Sequence, residues 1–372
     1  MSKSKAKSAT FYNIGQLRVD CWNKLKVATS ELARGTQAKA DIKKCLATSE
    51  QLFKDLKEVD HYFAFPGLTR LENVENMLKR AEFMALANKV SDITRQLVSD
   101  GYRGNPEKLD EDDLSIEKVE AHEQVDGVKK NYFEVLFVGD ESKEEEASLR
   151  ARLKDLRVAN EQFEYGVVVQ HSFQDALIAL LFNYNIQAVV VKYAPSYSSE
   201  NITPIIEPYI QNALKLDYSS HEETDLGPIL GSLIKTLRPE LDTYYITDTS
   251  LGNLKDSTIK NFKRIFYNTE DLQELHLTIV RGISERYQTP FFSALKEYSQ
   301  KPTGVFHAMP ISRGNSVFKS RWINDFGEFY GRNMFLAETS ATTGGLDSLL
   351  QPTGPLKKAQ EMARDTYGSK QT

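Results

Sequence analysis

Apolar side chains recur every third or fourth position along residues 9–101. Leu71, Val74, Leu78, Ala81 and Ala85, followed by Leu86, Val90, Ile93 and Leu97, hold one face of a helical repeat and predict amphipathic helices there. Gly15, Gly35 and the Phe65-Pro66-Gly67 turn punctuate them. Such a stripe closes on its neighbours to make a small helical domain, or it meets a partner chain as an oligomerisation bundle. Closure on its own core is the commoner use of an amphipathic face. Over residues 102–131 the periodicity stops, and the consecutive Asp110, Glu111, Asp112 and Asp113 mark a solvated acidic linker.

Beyond the linker the period changes. Short apolar runs predict strands at 134–138, 165–170, 188–193, 243–247 and 265–267, and helical stretches lie between them near 144–156, 174–182, 205–216, 229–237 and 254–262. Runs such as YGVVVQ and AVVVKY hold hardly a polar residue, as expected of strands covered on both faces. The alternation predicts an α/β fold over 132–268, an open, five-stranded parallel sheet of flavodoxin-like or receiver-like type. Its ligand crevice would lie at the carboxyl ends of the strands.

A third region opens with a helix striped by Leu272, Leu275, Ile279 and Ile283. Pro290 kinks or restarts it, so that Phe291, Leu295 and Tyr298 continue on another segment within 269–301. The stripe reads as a long core helix packing on the sheet. Aromatics then crowd together (Phe318, Trp322, Phe326, Phe329, Tyr330 and Phe335), fitting an interface or a local core. A turn at Gln351, Pro352, Thr353, Gly354 and Pro355 precedes a final helix with Pro355 in its first turn, Leu356, Ala359 and Ala363 on one face, and Gly368 at its end.

Composition narrows the partners. The 372 residues are 40% hydrophobic and 27% charged, with net charge −5, ordinary for a globular protein and without a global reason to bind nucleic acid or an anionic membrane. No stretch approaches the roughly 20 apolar residues of a membrane span. The basic N-terminal arm has no apolar segment after it, so no signal peptide is read. Two cysteines, Cys21 and Cys45, without a spacing motif fit a reducing cytoplasm. The six histidines are scattered, so no metal site is expected. Neither a phosphate-cradling glycine motif nor a nucleophile elbow occurs, and the Gly344-Gly345 pair reads as a turn.

A phosphorylatable receiver needs acids after the first strand, which Asp140 and Glu141 would supply, and an aspartate closing the third. The third strand ends at Lys192 and Tyr193 instead, and an ammonium cannot accept a phosphoryl group. The receiver function is therefore disfavoured. Asp140 is left as a solvated loop acid or a helix N-cap.

The segment GLDSLLQPTGPLKKAQEMARDTYGSK resembles the start of the large domain of the bacterial ornithine/lysine/arginine decarboxylases, fold-type I enzymes that use pyridoxal phosphate (PLP). Upstream, PTGVFHAMPISRGNSVFKS stands where that family carries a Pro-Gly-His-x-Gly-Gly signature. Pro310 and Gly314 are present, while Ile311, Ser312 and Arg313 replace its Gly-His-x portion. The resemblance follows the order of elements from Asn131 onward and is specific from Leu346 to Gly368. It implies that the sheet is the family's N-terminal wing, that the helices at 269–301 link wing to coenzyme domain and help build a homo-oligomer, and that 302–372 opens an aminotransferase-like PLP domain. It further implies that Pro310, Gly314, Asp347, Thr353, Gly354 and Pro355 lie near the edge of an active site that releases CO₂ from ornithine, lysine or arginine. No Ser-x-His-Lys motif occurs in the chain, and Lys357 and Lys358 have polar and acidic helix neighbours. The expectation is therefore a chain that stops inside a domain, as a fragment, truncated product or split enzyme. It would hold no catalytic lysine, bind no PLP alone and be inactive alone. A non-catalytic assembly or regulatory module is the alternative.

Overall fold

A computed structural model describes residues 14–35, 39–103, 131–158, 161, 163–199, 221–249, 254, 256–267, 272–301, 312–320, 322, 324–338 and 346–370. The acidic run at 110–113, the helix expected at 205–216 and the Gly344-Gly345 pair lie outside them. Two compact units divide the chain, 1–284 and 285–372.

The first unit begins with four helices, α1 (Ile14–Arg34), α2 (Lys39–Asp60), α3 (Gly67–Lys79) and α4 (Phe83–Val98). Trp22, Leu25, Phe53, Leu56, Leu71, Val74, Leu86 and Val90 fill a core of their own between them, so the stripe closes on itself. Two details differ from the sequence reading. Gly15 sits inside α1 rather than before it. Ala81 is exposed with φ 58° between α3 and α4, where the chain reverses and the stripe restarts.

The sheet follows, with β1 (Asn131–Val138), β2 (Phe163–Gln170), β3 (Ile186–Lys192), β4 (Asp242–Ile246) and β5 (Arg264–Phe266) in the order β2-β1-β3-β4-β5. Every pairing is parallel, the doubly wound order of flavodoxin-like domains. Between the strands come α5 (Lys143–Asp155), α6 (Phe173–Phe182), α7 (Glu223–Leu237) and α8 (Asp256–Asn261). Alternate residues of each strand serve opposite faces. Leu136, Val138, Val168, Val189 and Val191 meet α6 and α7 through Phe173, Leu177, Leu226 and Leu230. Phe133, Val135, Val167 and Val190 meet α5 and α9 (Leu272–Arg286) through Leu149, Leu153, Leu275, Ile279 and Ile283. With both faces covered, neither set can be polar, which is why the strands read as unbroken apolar runs. The core reading therefore holds for α9. A buried histidine fixes it further: His276 Nδ1 lies 2.9 Å from Tyr165 Oη, and its Nε2 lies 2.9 Å from Glu161.

Edge strand β2 is capped from outside. Arg150 on α5 donates to the Val167 carbonyl, and Arg157 donates to that of Tyr165.

Helical bundle and sheet are one unit because the end of α2 and the chain that follows it insert into the sheet's core. Val59, Tyr62 and Phe63 pack with Leu136, Phe173 and Leu177. A buried polar seam accompanies them. Glu134 of β1 accepts from the Ala64 amide (3.0 Å) and from Asn183 Nδ2 (2.7 Å), and the same Asn183 amide donates to the Tyr62 carbonyl (2.8 Å). Tyr62 Oη donates to Asp175 (2.9 Å), and Gln170 Nε2 to the His61 carbonyl (2.8 Å). Behind the seam, Asp60 pairs with Arg18 and accepts from Trp22 Nε1 at 2.9 Å.

Burial pushes the Glu134 carboxyl above its ordinary 4.5, and the bonds from Asn183 and Ala64 only partly restore it. Glu134→Ala orphans those two donors and should cost about 2–4 kcal/mol in denaturant unfolding. Glu134→Gln keeps an acceptor oxygen and should cost less than about 1 kcal/mol. Because the folded pKa is raised, the wild type loses stability relative to the glutamine variant as pH rises from 4.5 through the folded value. A parallel pH dependence of the two proteins would refute this account.

Candidate functional site

Two places have the geometry of a site. The first is the sheet's carboxyl edge. Ser142, not Asp140, caps α5: the Glu145 amide donates to Ser142 Oγ (3.3 Å) while the Ser142 amide donates to the Glu145 carboxylate (2.8 Å). Asp140 is exposed, a solvated loop acid. Glu141 is buried and ion-paired with Lys192, which closes β3. A Cβ at Gly139 would lie 2.9 Å from both Glu141 Oε2 and Lys192 Cδ, so the pair fills the crevice between β1 and β3. A nucleophilic carboxylate at the end of β3 is missing, as a receiver would require.

The second place lies in the unit 285–372. Helix α10 (Pro290–Gln300) restarts at Pro290 in its first turn, and α14 (Pro355–Tyr367) begins with Pro355 likewise and ends at Gly368 with φ 61°. Asp347 organises the entry to α14. One carboxylate oxygen accepts from the amides of Gly354 (2.6 Å), Leu356 (3.0 Å) and Lys357 (3.3 Å), the other from the Thr353 amide (2.9 Å) and hydroxyl (3.4 Å). Four of the residues singled out in the sequence, Asp347, Thr353, Gly354 and Pro355, thus meet in one turn. Desolvation acts to raise the Asp347 pKa, but the amides outweigh it and hold the carboxyl below its usual value. The cap also occupies the helix N-terminus, where a phosphate would otherwise bind.

Gly314 stands elsewhere in this unit, and Pro310 lies outside the described residues. Gly314 has φ 86°, and its missing Cβ leaves room for the rings of Phe318 and the Cβ of Phe335. Beside it, Arg313 is buried and has φ 52°. Its guanidinium donates to the carbonyls of Tyr298 (2.9 Å), Ser299 (3.0 Å) and Lys301 (3.0 Å) at the end of α10, and to that of Leu336 (3.1 Å) at the end of α13 (Arg332–Leu336). A cation against the carbonyl end of a helix is favourable. The sequence reading treated Arg313 only as a departure from a motif; an arginine directly before a glycine was the available signal.

The aromatics between α11 (Asn315–Phe318), α12 (Asn324–Tyr330) and α13 contact one another, with Phe318 and Phe335 edge to face at 5.5 Å and Phe329 and Tyr330 at 4.9 Å. They do not form a buried local core. Trp322 is 93% and Phe329 82% exposed.

The family model described as "Orn/Lys/Arg decarboxylase, major domain" matches residues 289–372. Residues 289–372 are thus similar to that family's major domain. Lysine decarboxylase LdcA of Pseudomonas aeruginosa is 32% identical over 83 residues, 22% of this chain and 11% of that protein. An arginine decarboxylase of Bacillus anthracis is 33% identical over 87 residues, 23% of this chain and 16% of its own length. The chain thus covers under a fifth of either relative. The constitutive lysine decarboxylase of E. coli superposes with a TM-score of 0.35 at 18% identity, over 64% of this chain and 30% of that one, too low to add to the fold described above.

The Asp347 turn and Arg313 both lie in the matched segment. Asp347→Ala should raise hydrogen exchange of the Leu356 and Lys357 amides by roughly an order of magnitude. In the wild type that protection is present above the ordinary carboxyl pKa of 3.8 and lost as pH falls through the lower folded value. Exchange rates unchanged in the variant would show that Asp347 does not hold the turn. Replacing Arg313 by Ala should cost about 2–4 kcal/mol in unfolding of the same unit, since carbonyls of two helices lose their donor together.

Proposed function

We propose that this chain is part of a PLP-dependent decarboxylase acting on ornithine, lysine or arginine, and that it supplies the wing and the leading elements of the coenzyme domain. The observation that carries the reading is the decarboxylase match over 289–372, within which Asp347, Thr353, Gly354 and Pro355 build one hydrogen-bonded turn. PLP supplies an electron sink for the carbanion left when CO₂ departs. It requires a lysine amine, a carboxylate beside the ring nitrogen and a phosphate cradle.

The described residues do not assemble these parts. None of the described lysines is buried, Lys192 is paired with Glu141, and the N-terminus of α14 is filled by Asp347. No step through PLP is therefore derived from them. In this reading the coenzyme lysine and phosphate loop are not part of this chain, and the chain alone binds no PLP and is inactive. The exposed Trp322 and Phe329 favour a homo-oligomer that covers them. Cys21 and Cys45, neither of them in a disulfide, are compatible with a cytoplasmic location.

Two measurements test the proposal. Chain 1–372 incubated with PLP and treated with borohydride should yield no adduct concentrated at a single lysine by peptide mass spectrometry. The complete product of the gene that encodes this chain should release CO₂ from at least one of L-ornithine, L-lysine and L-arginine, dependent on added PLP. A single-lysine adduct would overturn the first part, and no release from any of the three amino acids would overturn the family-level activity.

A further inference from the structure

A groove of about 470 Å³ lies between the helical bundle and α5, beside edge strand β2. Four cations line it: Arg70 from α3, Arg150 and Lys154 from α5, and Arg157 just after it. One carboxylate, Glu164 of β2, lines it with them. Arg150 pairs with Glu146 (3.1 Å) and Arg157 with Glu164 (3.0 Å), so the four cations and these two carboxylates leave a net charge of +2. Such partners do not exhaust the lining, because a guanidinium carries five N–H donors and an ammonium three. Arg150, Lys154 and Arg157 stand four and three residues apart, which spreads their charge over about 10 Å along α5 and its end. Exposed Ala147 and Ala151 leave room between them. Charge strung out in this way suits several carboxylates along a chain better than one compact ion.

The protein carries such a stretch itself. Between Arg103 and Asn131 lie 27 residues with nine acidic side chains and four lysines, a net −5 that equals the net charge of the whole chain. Asp110, Glu111, Asp112 and Asp113 are the densest part of it. Both ends of this segment are held at one wall of the groove. Phe65 and Tyr132 belong to that wall, and Tyr102 stacks on Phe65 at 4.8 Å and meets Tyr132 edge to face at 5.7 Å. Asp110 follows Arg103 by seven residues, a reach of up to about 25 Å. An extended backbone sets every second side chain on one side about 7 Å apart. That spacing is close to the roughly 6 Å of helix rise between Arg150 and Lys154.

We propose that the acidic run 110–113 of this chain docks in the groove, its carboxylates against the cations of Arg70, Arg150, Lys154 and Arg157. A separate acidic peptide or a small polyanion would meet the same charges. Only the chain's own run is tethered at the wall, at an effective concentration of about millimolar that a free competitor must exceed. Docked there, it joins α3 of the bundle to α5 of the sheet by a second, electrostatic contact beside the buried seam. The sequence alone reads the run as solvated because its counter-charges are divided between α3 and α5, each remote from it along the chain.

The test uses the full chain. Zero-length carbodiimide coupling of mixed isotopically light and heavy chains, read by peptide mass spectrometry, should join Lys154 to residues 110–113 within one chain. Raising the salt to about 1 M, where the screening length is about 3 Å, should remove most of that product. In a variant carrying Asp110→Asn, Glu111→Gln, Asp112→Asn and Asp113→Asn together, a synthetic peptide of residues 107–116 should shift the Ala147 and Ala151 amides saturably in nuclear magnetic resonance spectra. The wild type should bind that peptide at least about tenfold more weakly, because its own run competes. Adding Arg70→Gln to the variant should weaken the peptide. Equal peptide affinity of wild type and variant overturns the proposal. Coupling only between light and heavy chains would make a second copy the occupant, and shifts with tripolyphosphate but not with the peptide would make it a small polyanion; either result overturns the proposal, as does the absence of any Lys154 coupling. The coupling needs no variant, so it decides even if a variant fails to fold.

Discussion

Buried carboxylates hold the bundle to the sheet, with Glu134 at the centre of the seam. Glu134 sits in the middle of β1, takes hydrogen from a backbone amide of the bundle and from a side chain following α6, and so ties together segments far apart in sequence. Apolar packing of Val59, Tyr62 and Phe63 supplies most of the driving force there, but packing is tolerant of sliding. Hydrogen bonds to a group with no water available are not. A shift of the bundle by one residue would strand the carboxylate, the Asn183 amide and the Tyr62 carbonyl at once, which gives the seam its register.

The same economy of fixed polar contacts recurs wherever the chain turns. Lys192 and Glu141 occupy the crevice in which doubly wound sheets commonly hold a ligand, Asp347 gathers the opening amides of α14, and Arg313 gathers the closing carbonyls of α10 and α13. In each case the protein satisfies from within a site that other folds leave for a ligand.

Much of the fold was legible in the chain. Strands buried on both faces announce themselves as runs like AVVVKY, and all five appeared near their observed places, though β1, β2 and β3 start two or three residues earlier, where polar or aromatic residues at the strand openings hide the boundary. The stripe on α9 gave its buried face. What stayed hidden depends on distant partners. Nothing near Glu134 announces that Ala64 and Asn183 will meet it, and nothing in the SRGN sequence shows the helix ends that Arg313 will join. The Asp347 turn lay between these cases: its residues were singled out by resemblance, while their common hydrogen-bonding centre required coordinates.

The arginines on β2 have a consequence for assembly. An open sheet normally offers its outermost strand as a template on which another chain can add itself, the route to runaway stacking. Here two outward carbonyls of that strand are already engaged by Arg150 and Arg157, and the opposite border, β5, is only three residues long. An incoming strand would have to break charge-assisted bonds on one side and would find almost nothing to pair with on the other. Among the described residues, both borders of the sheet are thus poor templates for an added strand.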